Sequence, residues 1–138
     1  MPLQFEFTDK STLFVRASGN VTYAEVQRAF DNLATNPRRN GDVSVLADAR
    51  QVTDVPCTAD LRVIAEDLRR LFGRSPGTIA IVTESPFVYG VARMFGVFAE
   101  RVSVNVRAFR CMEEARTWLV ASRTRDSHTG DSSAALPS

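Results

Sequence analysis

Apolar and polar residues alternate along LQFEFT (3–8), which predicts a strand with one face buried. Turn residues TDKS (8–11) lead into TLFVRAS (12–18), the returning strand of a hairpin, which Gly19-Asn20 breaks. A helix start follows: Thr22 is placed to cap Glu25, Glu25 to reach back to Thr22, and Val21 to staple onto Val26. Val26, Ala29, Phe30 and Leu33 recur at helical spacing until Asn36-Pro37. VSVLAD (43–48) is apolar almost throughout, the pattern of a strand covered on both faces. Thr58 then caps a helix with Asp60 in its first turn. Its inner stripe is Leu61, Ile64, Leu68, Leu71 and Phe72, while Arg62, Glu66, Asp67, Arg69 and Arg70 face water and Gly73 closes it. TIAIVT (78–83) is a second buried strand.

The next segment, SPFVYGVARMFGVFAE (85–100), is a helix that is apolar on nearly every side. Ser85 is the N-cap and Pro86 the first helical residue. Only Tyr89, Arg93, Gly96 and Glu100 form a polar strip. Such a helix is usually buried, yet a chain of 138 residues has little else to bury it with. Helical spacing puts Val88, Val91, Ala92 and Phe95 inward and leaves Phe87, Met94 and Phe98 as an outer apolar patch, with Tyr89 beside them. These four (Phe87, Tyr89, Met94 and Phe98) are the candidate interface residues. VSVNVRAF (102–109) alternates strictly and is expected at a sheet edge, and MEEARTWLVA (112–121) is a last helix burying Ala115, Trp118 and Leu119. From Ser122 the chain has no apolar periodicity, so residues 1–121 are read as one domain and 122–138 as a disordered tail.

The order β-β-α-β-α-β-α-β-α implies an α/β fold: a mainly parallel sheet of about five strands with an N-terminal hairpin and four helices. ASGNVTYAEV after the second strand, VSVLADAR as the third, TIAIVTESPFVYGVARMF across strand and helix, and VRAFRCMEEARTWL at the end carry a resemblance. Over roughly residues 3–120 the chain resembles the SpoIIAA-like group, which includes the STAS domains of anti-sigma-factor antagonists. It looks most like the uncharacterised bacterial members of that group. The resemblance implies a β-α superhelix, usually without enzymatic activity. Antagonist STAS domains carry a phosphorylatable Ser in a DSxG motif before the second helix. Here the chain reads TDVPCTADL: Asp54 is followed by Val55, and the nearest hydroxyl and thiol are Thr58 and Cys57. That phosphoswitch does not carry over. The Sec14-type lipid carriers share the superhelix, but this chain lacks the length of their pocket.

Charge narrows the partners. A net charge of +1, from 17 basic and 16 acidic residues, gives no electrostatic argument for nucleic acid or an anionic membrane. No apolar stretch reaches the roughly 20 residues of a membrane span, and MPLQFEFTDK lacks the features of a signal peptide. The cytoplasm is the expected compartment. All basic residues but Lys10 are Arg, consistent with a GC-rich bacterial genome.

Cys57 and Cys111 lack a CxxC spacing, so neither zinc nor a redox pair is expected. The single histidine, His128, falls in the expected tail and leaves no base for a nucleophile. Glu113-Glu114 are better placed as favourable charges on a helix start. No catalytic residue, cofactor or metal ligand is assigned, and the expectation is a non-enzyme.

What remains is the rim beyond the strand ends, where open parallel sheets bind ligands. It gathers Asp48, Arg50, Thr53 and Asp54, then Thr83, Glu84 and Ser85, then Arg110. Helix starts near Thr58 and Ser85 could hold an anion there; the simpler account is that Asp48 pairs with Arg50 and that Thr58 and Ser85 cap. The functional expectation is a non-enzymatic STAS-like module that forms a homodimer and binds a regulatory protein partner. The alternative is a small apolar, lipid-like ligand with the same helix as a pocket wall, and an enzyme using the rim is a distant third.

Overall fold

The structure, a computed structural model, describes residues 3–7, 12–34, 44–72 and 77–132. Five strands form a single sheet in chain order: β1 (Leu3–Phe7), β2 (Thr12–Asn20), β3 (Ser44–Asp54), β4 (Gly77–Val82) and β5 (Val104–Phe109). β1 and β2 are the antiparallel hairpin, and every later pairing is parallel. The helices are α1 (Tyr23–Ala34), α2 (Thr58–Phe72), α3 (Pro86–Ala99) and α4 (Met112–Ser132). This is the α/β architecture that the alternating pattern implies.

Strand order dictates where the helices lie. Each crossover from β2 to β5 moves one strand in the same direction, so crossovers of one hand put α1, α2 and α3 on the same face of the sheet. Under them, Phe30, Leu61, Ile64, Leu68, Phe72 and Ala99 pack on Leu13, Val45, Ile79 and Val104. After the edge strand, α4 returns across the other face. There Ala115 and Leu119 meet Leu46, Ala80 and Val82, flanked by Phe14, Phe109, Met112 and Trp118. The period-two alternation of β2, β3 and β4 therefore serves two cores: Leu13, Val45 and Ile79 face the three helices, and Phe14, Leu46 and Ala80 face α4.

Local signals placed the helix starts closely. Thr22 Oγ1 accepts a hydrogen bond from Glu25 N at 3.2 Å, and Ser85 Oγ accepts one from Val88 N at 3.2 Å with Pro86 in the first helical turn. Glu25 spends its carboxylate on Arg28 at 3.5 Å. The start of α2 lies one residue from the expectation: Leu61 N donates to the Cys57 carbonyl at 2.9 Å, so Cys57 holds the cap position and Thr58 is already helical. The expected stops at Asn36-Pro37 and Gly73 lie outside the described residues, as do the side chains of Leu33, Arg70 and Leu71.

Strand ends depart further. β3 runs on past Asp48 to Asp54, although ARQVTD is polar, because the end of β2 keeps pairing with it through register shifts between Arg16 and Ser18 and between Gly19 and Asn20. Gly19 takes φ +65° in this bend, and β2 ends at the Gly-Asn pair, with Asn20 its last residue. β5 begins two residues late because Glu100–Val102 form a 3₁₀ turn and Ser103 takes a left-handed φ of 63°.

The sequence places a disordered tail from Ser122, whereas helix α4 continues to Ser132 and Ser122 is itself buried. An apolar stripe ends at the core, but SRTRDSHT (122–129) holds neither Gly nor Pro to stop helix propagation. The rest of the expected tail, 133–138, lies outside the described residues.

Candidate functional site

Between the sheet and helices α1–α3 lies a cavity of about 230 Å³ whose lining residues are all apolar. Val15, Val45, Ala47, Ile79 and Ile81 form its floor. Val26, Ala29 and Phe30 of α1, with Leu61, Ile64 and Leu68 of α2, form two walls. The third wall is α3, through Val88, Val91, Ala92 and Phe95. Those four are the positions that helical spacing turns inward. Floor residues Val15, Ala47 and Ile81 and wall residues Val26, Ala29, Val91 and Phe95 all stay half-buried, so the cavity is a cleft open to solvent.

The cavity exists because small residues stand where larger ones would fill it: Ala29, Ala47, Ala49 and Ala92 all line it. Protein interiors hold few voids larger than a water molecule. Without polar groups in its walls the space offers water no partners. An apolar occupant suits it. The sequence carried a signal for this site in the inward alanines of VLADA (45–49), which read only as strand-compatible.

Asp48, Arg50, Thr83 and Ser85 of the rim hydrogen-bond within the fold. Asp48 is buried, and Arg50 grips it with Nε to Oδ1 and Nη2 to Oδ2, both at 2.9 Å, and with its backbone N at 3.1 Å. The Arg50 hydrogen bond holds the Asp48 carboxyl below its usual value, against the opposing effect of burial. Glu84, exposed, adds to the field that raises Arg50. Thr83 is fully buried; its N donates to the Phe109 carbonyl at 2.9 Å, and its hydroxyl accepts from Ser85 N at 3.2 Å. Thr53 and Thr58 are exposed, and Cys57 and Cys111 are free thiols. Among the described residues no group of His, Cys, Asp and Glu is arranged to hold a metal ion, and no helix is long and apolar enough to cross a membrane.

Helix α3 divides differently from the expected interface. Met94 and Phe98 are half-buried and packed against the core under the helices, with the Arg62 guanidinium 5.0 Å above the Phe98 ring. Phe87 is outside, 61% exposed, joined by Val97 at 63%. The exposed positions Phe87, Gly90, Arg93, Val97 and Glu100 form one helical stripe, and α2 takes up the side that was read as open. Tyr89, half-buried, lies under the Arg110 guanidinium at 4.8 Å.

A model of the SpoIIAA-like family matches residues 12–120. Among solved structures, the anti-sigma factor antagonist SpoIIAA in its unphosphorylated form is similar at TM-score 0.58 and 13% identity, covering 86% of this chain and 97% of that one. The phosphorylated form of the Bacillus cell fate determinant SpoIIAA is similar at TM-score 0.56 and 14% identity, covering 85% and 98%. An uncharacterised protein with a SpoIIAA-like fold from Shewanella loihica PV-4 is similar at TM-score 0.56 and 15% identity, covering 85% and 91%. No curated protein matches the chain.

Proposed function

We propose, from the premise that the chain belongs to the SpoIIAA-like family, that it is a non-catalytic module that takes up a small apolar ligand between its sheet and helices α1–α3. The observation that carries this reading is the cavity of about 230 Å³ with wholly apolar lining. An engineered dry cavity of about 150 Å³ already accepts benzene, so this space suits a ring or a short acyl chain. Any binding energy is added to the folded state alone and so raises the melting temperature. Melting in the presence of benzene is the test. Benzene should raise the midpoint of the wild-type chain and leave that of Ala47→Leu, which fills the floor of the cavity, unmoved. Equal shifts in both, or none in either, would defeat the proposal.

A second reading keeps the module but gives it a protein partner or a second copy of itself. Phe87 and Val97, both largely exposed on α3, favour it. SpoIIAA, a structural neighbour, is named for antagonising an anti-sigma factor. Here Val55 follows Asp54, so a partner would not be released by the phosphorylation that the DSxG motif supports. Both readings suit a cytoplasmic protein. Light scattering decides the self-association part: a dimer that Phe87→Asp converts to monomer supports it, and a wild-type monomer removes it.

A further inference from the structure

The two edges of the sheet are not alike. At β5 the helix α3 closes in: a Cβ on Gly96 would lie 2.9 Å from the Val106 carbonyl, so glycine lets the helix sit against the strand. At the other edge β1 pairs with β2 alone and touches α1 only lightly. Among the described residues no strand lies beyond β1, so its outward N–H and C=O groups lack a ladder partner. Proline, lysine or a bulge commonly guards such an edge. LQFEF (3–7) contains neither Pro nor Lys, and it pairs with β2 from Leu3 opposite Ala17 to Phe7 opposite Leu13 without a register shift. Its shortness and the single charge of Glu6 are its guards.

This strand is complementary to itself. Residues alternate between the two faces of a sheet, so two antiparallel copies related by a two-fold axis keep their faces matched only if one residue lies opposite itself. With Phe5 on the axis all five residues pair, Leu3 opposite Phe7 and Gln4 opposite Glu6. An axis at Gln4 or Glu6 pairs only three residues of β1, and the second choice sets Glu6 against itself.

Charge supports the same register. Gln4, Glu6 and Arg16 are exposed, and Arg16 lies opposite Gln4 on β2 with its guanidinium 5.8 Å from the Phe14 ring. Neither Glu6 nor Arg16 makes an ion pair among the described residues. In the pairing centred on Phe5, Glu6 of the second copy stands beside Gln4 and two strand spacings, about 10 Å, from Arg16. A glutamate and an arginine side chain together span that distance, and the two-fold repeats the contact.

We propose that β1 docks a second copy of this chain: two β1 strands pair antiparallel about Phe5 and join two sheets into one, with Glu6 of each copy against Gln4 and Arg16 of the other. Backbone hydrogen bonds supply the ladder, and the charges fix the register. The second copy then sits at the edge opposite α3, which leaves the exposed Phe87 and Val97 to a different partner.

Sedimentation velocity of the full chain over a range of concentrations is the test, and wild type should show a reversible dimer. Gln4→Glu sets two pairs of like charges opposite each other and should weaken the dimer by about tenfold. Gln4→Lys meets Glu6 twice and should tighten it, and both effects should shrink as salt rises. Position 4 is exposed in the single chain, so circular dichroism should stay unchanged in both variants. Phe87→Asp should leave this dimer in place. The inference is overturned if wild type remains monomeric, if the two Gln4 variants move the dissociation constant in the same direction or not at all, or if Phe87→Asp dissolves the dimer.

Discussion

The two faces of the sheet are packed by different rules. Under α4 the contact is tight: Ala80, Val82 and Ala115 have no exposed surface, and small residues let the helix lie close to the strands. Phe109 and Trp118 close one end with ring centroids 5.5 Å apart, and Arg107 lies over both. Under α1–α3 the residues are larger and more numerous, yet they leave an open cleft of about 230 Å³. More apolar surface does not make a fuller core. Three helices spread over one face meet the sheet and one another at several lines of contact, and alanines at those lines leave a gap. The lesson is a division of labour, with one face built for packing and the other carrying space.

Matched substitutions on the two faces should separate them. The largest difference is expected for truncation. Leu119→Ala removes atoms packed on every side under α4 and should cost about 3–4 kcal/mol. Leu61→Ala borders the cavity, already lacks neighbours on that side, and should cost about 2 kcal/mol. Urea unfolding of both variants checks the order, and a larger loss for Leu61→Ala would reverse the comparison.

Enlargement should differ in sign. Ala80 and Ala47 lie on neighbouring strands, and their register partners are Leu46 and Ile81. Ala80→Leu forces three extra carbons into a filled core and should destabilise by about 1–3 kcal/mol. Ala47→Leu enters the cavity and should be neutral or stabilising by up to about 1 kcal/mol. Calorimetric melting of the pair is sufficient to read this, and destabilisation by both would mean the space beside Ala47 is unusable.

A smaller effect belongs to the rim that joins the faces. Asp48 titrates below its ordinary value because Arg50 donates to its charged form. The sign follows: a carboxyl lowered in the folded state contributes stability above its unfolded value near 3.8, and this is lost as pH falls through the folded value. Arg50 is exposed, so solvent screens the pair and keeps the gain small. Asp48→Asn should therefore lose that small gain at pH 7 and converge on wild type in acid. A constant gap across the acid range would exclude the ion pair as the cause.

How far these features were legible follows from their range. Ser85, Pro86 and Thr22 announce helix starts because capping is settled within four residues. The edge position of β5 was readable in its strict alternation, and the parallel order in the alternation of strands with helices. What a residue meets across the fold was not readable. Phe98 looked outward on the helix alone, and only the assembled fold packs it against the core, under the Arg62 guanidinium of α2. Ala47 and Ala49 appear as ordinary strand residues until α1 and α3 stand over them. The extension of β3 through ARQVTD depended on pairing with the bent end of β2, which no local pattern encodes.

The central claim is that the open space on one face, and nothing on the other, takes an apolar ligand. Methyl-selective NMR of the full chain titrated with benzene tests it most directly. Methyl resonances of Val45, Ile79, Ile81 and Val91 should shift together and saturate, while those of Leu46, Val82 and Leu119 under α4 stay in place. Absence of a saturable shift, or equal movement of both sets, would contradict the account.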